Sequence, residues 1–143
     1  MSDGAGHDIV VRRIYGPQPD GDGYRMLVDR LWPRGMSHDR ARLDFWAKDM
    51  APSADLRSWF SHRPERFERF ADAYGEQLER NPQADAFVEQ CADILCSRDL
   101  YLLYAAKDAE RNNAVVLRDW LGQRLGRIGR SPSRAMVRQE PSR

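Results

Sequence analysis

Seven polar side chains, placed just behind two apolar runs, hold most of the chemistry this sequence could do. Asp29, Arg30 and Arg34 close the stretch Tyr24 to Gly35 (YRMLVDRLWPRG), while Lys107, Asp108, Asn112 and Asn113 follow Leu100 to Ala106 (LYLLYAA). An apolar run that ends in charge is the pattern of a buried strand leaving its sheet. In open α/β sheets ligands bind in that place, outside the carboxyl ends of the strands. If the two strands are parallel neighbours, three cations, two carboxylates and two asparagines meet at one cleft beside a helix start. Free N–H groups and the helix dipole favour phosphate or carboxylate there, and arginine adds paired hydrogen bonds. The expected site is therefore anion-binding, held by Arg30, Arg34, Lys107, Asn112 and Asn113. Asp29 and Asp108 are the candidate catalytic bases, because desolvation raises a carboxyl pKa while Arg30 or Lys107 lowers it. The competing reading is structural. In it Asp29 and an arginine neutralise one another, Asp108 or Asn112 caps a helix, and Trp32-Pro33 packs as a wedge.

Missing motifs narrow the chemistry. Neither run is followed by a Gly-rich dinucleotide loop or a Gly-Lys-Ser/Thr phosphate loop, and no Gly-x-Ser-x-Gly elbow occurs. His7, His38 and His62 are scattered, which gives no support to a metal cage or a triad, so neither metal nor cofactor is expected. His62 follows the end of a short helical pattern and is read there as a partner of the helix dipole.

With 143 residues, 41% of them hydrophobic, the chain can bury one ordinary core without staples. A formal net charge of +1, both signs mixed, makes no overall field that would draw nucleic acid or an anionic membrane. Arg127, Arg130, Arg134, Arg138 and Arg143 keep nucleic acid as an alternative partner, but they lack aromatic context and read as a solvated tail. Cys91 and Cys96 stand roughly 140° apart around a helix axis, so they suit neither a disulfide nor a shared metal. Both read as small core or half-buried hydrophobes. No apolar run reaches membrane length and no signal-peptide pattern opens the chain, which makes a reducing cytoplasm the expected location. The sequence carries no signal for an oligomeric state.

The elements that must position the polar residues follow from periodicity and turn chemistry. Residues 1–7 are Gly-rich and polar and are expected to fray, residues 8–128 form one domain, and residues 129–143 form a disordered Arg/Ser/Pro-rich tail. Ile9 to Tyr15 and Tyr24 to Leu31 read as strands separated by the turn-rich Gly16 to Gly23. That link permits an antiparallel hairpin, or a parallel return, since roughly eight extended residues span ~26 Å. Ser37 caps a short helix leading to Leu43 and Trp46, and Ser53 caps another carrying Leu56, Trp59 and Phe60. Pro64 opens a longer helix to about Arg80, with Phe67, Phe70, Ala71, Tyr74 and Leu78 on one face. Asn81-Pro82 ends it, and the next helix buries Phe87, Val88, Cys91, Ile94 and Leu95. Leu100 to Ala106 reads as a strand covered on both faces. A last helix carries Val115, Val116, Trp120, Leu121 and Leu125 and is stopped by Gly126 and Gly129.

Four stretches, in order and spacing, resemble the domain of unknown function 488 (DUF488) family in its short YeaO-like branch. They are RIYGP at Arg13 to Pro17, GYRMLVDRLWPRG at Gly23 to Gly35, LDFWAKDMAPSADLRSWFSHRP at Leu43 to Pro64, and LLYAAKDAERNNAVVL at Leu102 to Leu117. The resemblance implies a single-domain three-layer α/β fold, a small and mostly parallel sheet flanked by helices, with no established activity. It also implies that Gly16 to Gly23 is a shortened crossover, which favours parallel strands. Where this chain has Arg111, relatives often have His, so any role of that His does not carry over.

Three functions remain in play. The first is binding of an anionic small molecule (phosphate, nucleotide or carboxylate) at the strand ends, with or without catalysis. The second is association with nucleic acid through the same cations and the tail. The third is a stress-linked interaction module without chemistry.

Overall fold

A computed structural model describes residues 7–19 and 21–126. Four short runs of β-branched, aromatic and aliphatic residues form the strands β1 (Ile9–Arg13), β2 (Tyr24–Leu27), β3 (Phe45–Trp46) and β4 (Leu100–Tyr104). All pairings are parallel, in the order β1-β4-β2-β3. β4 is thus central: Leu100 pairs with both Ile9 and Tyr24, and Leu103 with both Arg12 and Leu27. The hairpin is excluded, because β4 lies between the first two strands. The turn-rich link crosses past β4 without a helix among its described residues and is pinned by Gln18. The Gln18 amide donates to the carbonyls of Arg13, Ile14 and Gly16, and its oxygen accepts from Arg25. Gly23 ends the link where a side chain has no room, since a Cβ there would stand 2.7 Å from the Tyr101 ring.

Strand alternation sorts the core into two layers. Met26, Leu100, Leu102 and Tyr104 face a large cluster with helices α3 (Phe67–Arg80), α4 (Ala84–Leu95) and α5 (Asn113–Gly126). Leu27 and Leu103 face a smaller one with Ile14, Met36 and Ala41, where helix α1 (His38–Ala41) packs. Helix α2 (Ala54–Phe60) contributes Phe60, stacked on Phe70 of α3 with ring centroids 4.3 Å apart. The expected caps are present: Ser37 Oγ accepts from Arg40 N, and Ser53 Oγ from Leu56 N. Pro64 begins a 3₁₀ turn, Pro64–Arg66, that leads into α3.

Several sequence expectations are corrected. The second strand stops at Leu27 instead of Leu31, which is 58% exposed. Phe45–Trp46, read as the run-out of a helix, is an edge strand beside Met26 and Leu27. Two residues are too few to show a period, and the partner strand alone makes them extended. Trp59, placed on the apolar side of its helix, is exposed with the Arg66 guanidinium over its ring. Cys96 is exposed because α4 ends at Leu95, while Cys91 is buried. The tail expected at 129–143 and most of the fraying N-terminus fall outside the described residues. Among the described residues no helix is long and apolar enough to cross a membrane.

Candidate functional site at the strand ends

Asp29 stands two residues beyond β2 at the carboxyl edge of the sheet. A continuing parallel ladder would give the Ala105 N–H to the Val28 carbonyl, since Val28 N already donates to Leu103 O. Instead Ala105 N donates to Asp29 Oδ2 at 2.9 Å. The carboxylate replaces the carbonyl and terminates the sheet. The displaced Val28 carbonyl accepts from Asn113 Nδ2 at 3.0 Å, and the same amide reaches Asp29 Oδ1 at 3.0 Å. On the other side, Trp46 Nε1 donates to the Asp29 backbone carbonyl at 2.8 Å.

Two of the polar residues do structural work at the neighbouring helix start. Asn112 is buried; its Oδ1 accepts from Val115 N and its Nδ2 donates to the Asp108 carbonyl, so it caps α5. Asp108 Oδ1 accepts from the N–H groups of Glu110 and Arg111, and its Oδ2 lies 3.5 Å from Arg111. Those backbone bonds, with the Arg111 charge, hold its pKa below the usual carboxylate range. Asp108 therefore shapes the turn before α5 as a stably ionised group.

The predicted cations spread apart. Arg30 Nε donates to the Pro52 carbonyl at 3.0 Å, on the side of α2. Arg34 is exposed, and its carbonyl accepts from Tyr15 OH, towards β1. Lys107 is exposed two residues past Ala105. None of the three forms an ion pair with Asp29 or Asp108 among the described residues.

Asp29 is thus a half-buried carboxyl without a cation at salt-bridge distance among the described residues. Burial raises its pKa, and the Asn113 amide, the Ala105 N–H and the fields of Arg57 and His62 offset this only in part. Arg57 and His62 were not expected near this site. Arg57 lies on α2 and His62 just after it, with the left-handed φ of 57° that continues from Ser61 at 49°. Sequence reasoning had no signal for this proximity, because it arises from the tertiary packing of α2, whose Phe60 stacks on Phe70 of α3. A carboxyl of raised pKa with free acceptor capacity can take or give a proton, or bond a ligand N–H or O–H. Among the described residues no group of three His, Cys, Asp or Glu could hold a metal ion.

A small parallel α/β domain with its polar cluster at the carboxyl strand ends is the class defined by this geometry. The chain belongs to the DUF488 family: the pattern described as "Inactive DUF488-N3 subclade" matches residues 8–137. An uncharacterized protein of Escherichia coli K12, YeaO, is 40% identical over 114 residues, which cover 80% of this chain and 96% of that protein. An uncharacterized protein of Mycobacterium tuberculosis H37Rv, Rv3073c, is 50% identical over 70 residues, or 49% of this chain and 59% of that one. No solved structure matches.

Proposed function

We propose that the protein binds a small anionic molecule, a phosphate ester, nucleotide or carboxylate, at the carboxyl ends of β2 and β4 without turning it over. The observation that carries this reading is Asp29: half-buried at the strand ends, raised in pKa and fastened to the start of α5. Arg57 acts on Asp29 through its field, and with Arg30 and the exposed Lys107 it would hold the anion. The Asp29 carboxyl would meet a donor on the same ligand, such as a hydroxyl or ring N–H. Asp108, held ionised by its turn, supplies no second proton-transfer group to work with Asp29. The word "inactive" in the description of the matching subclade agrees with binding alone.

A thermal-shift screen with inorganic phosphate, nucleoside monophosphates, sugar phosphates and dicarboxylates tests the proposal. A ligand at about 100 times its dissociation constant adds about 2.7 kcal/mol of stability. The shift should shrink in Lys107→Ala and Arg57→Ala and change its ligand preference in Asp29→Asn. No shift with any anion, or equal shifts in all variants, overturns the binding site. Conversion of the bound molecule, followed by NMR, overturns the claim that binding is all it does.

A further inference from the structure

On the far side of the large helical layer, an open groove of about 500 Å³ runs between α3 and α5. Ala71, Gly75, Val116 and Trp120 form its apolar floor. Asp72, Glu76, Glu79 and Asp119 rim it, against the single cation Arg80. Glu79 accepts from Trp120 Nε1 at 2.9 Å, and Asp119 pairs with Arg118 at 3.1 Å. Asp72 and Glu76 have no cation within 4 Å among the described residues. Like charges at i and i+4 destabilise a helix, so this bare pair is a cost unless a cation is brought to it.

The chain itself carries the complement. The described part of α5, one wall of the groove, ends at Gly126. Residues 127–137 (RIGRSPSRAMV) follow, with Arg127, Arg130 and Arg134, no acid, and the apolar Ile128, Met136 and Val137. The family pattern extends to residue 137 and so covers this segment. Reach is ample. The α5 wall from Gln123 back to Val115 is about 12 Å long at ~1.5 Å per residue, whereas eleven extended residues span about 36 Å. We propose that the α3–α5 groove is the docking site of residues 127–137 of the same chain, their arginines against the rim carboxylates and their apolar side chains on the floor. This site is independent of the anion site at the strand ends.

Trypsin cleavage after Arg127, Arg130 and Arg134 in the full chain, followed by mass spectrometry, reads the docking directly. Cleavage of a docked segment tracks the population of its open form, and about tenfold protection relative to a synthetic 127–143 peptide is expected. Asp72→Lys with Glu76→Lys should abolish the protection, and adding Arg130→Glu and Arg134→Glu, assayed at Arg127, should restore it. Asp72 and Glu76 are exposed, and circular dichroism checks that each variant is folded. Gly75→Leu offers a second route: nothing lies within 4 Å of a Cβ there, so the added side chain fills the groove without a clash and should release the segment. Cleavage of the parent at the free-peptide rate overturns the proposal. So does protection that survives the charge reversal, or protection that rises with protein concentration and so places the segment on a second copy.

Discussion

The Asn113 amide lies 3.0 Å from the Asp29 carboxylate across 84 residues of sequence, and the same nitrogen satisfies the Val28 carbonyl. One side chain at the first turn of α5 thereby closes the end of β2 and supplies half of what holds a half-buried charge. Asn113→Ala should destabilise the fold by about 1–3 kcal/mol, the cost of stranding a partly buried acceptor. Asn113→Asp should cost more at neutral pH and less in acid, since two facing carboxyls cannot both ionise cheaply. Urea unfolding at two pH values checks both.

The raised pKa of Asp29 fixes the sign of a pH effect. Between the unfolded carboxyl value of ~3.9 and the raised folded value, the native state binds more protons than the unfolded chain. The contribution of Asp29 to stability is therefore fully present below ~3.9 and is lost as pH rises through its folded value. Asp29→Asn should remove that slope, so the difference in unfolding free energy between parent and variant should change across this window and be flat above it. A constant difference from acid to neutral pH would contradict the raised value.

Arg30 bonds the Pro52 carbonyl instead of neutralising Asp29. Arg30→Ala should thus cost about 1.5–3 kcal/mol, the scale of one hydrogen bond from a charged group. Removing one member of a buried ion pair would cost about 3–5 kcal/mol. A melting curve distinguishes the two, and the larger loss would mean that Arg30 neutralises Asp29 in solution.

Gly23 is fixed by a close approach to the Tyr101 ring. Gly23→Ala should destabilise by about 1–3 kcal/mol, as overpacking does. In a Tyr101→Ala background most of that penalty should vanish, because the ring is what the methyl group meets. Additive losses in the double mutant would place the strain elsewhere.

The sequence by itself determined the elements with a long period and where two of the short helices begin. Phe70, Tyr74 and Leu78 recur every four residues and are all buried on α3, and Ser37 and Ser53 cap because a hydroxyl can satisfy a helix N–H locally. The apolar runs that become β2 and β4 were visible as well, together with the charge that follows each. The tertiary structure alone decided which partners the polar residues took. Asp29 finds the Ala105 N–H and the Asn113 amide, Arg30 finds Pro52, and Arg57 and His62 come near from α2 and the turn after it. Each of these depends on β4 inserting between β1 and β2, a pairing between residues some 90 positions apart in sequence. Periodicity reports which face of an element is apolar, but the neighbour across a sheet is chosen by the whole core. For the same reason the two-residue β3 carried no signal: its extended form comes from hydrogen bonds to a strand that only the folded chain brings alongside.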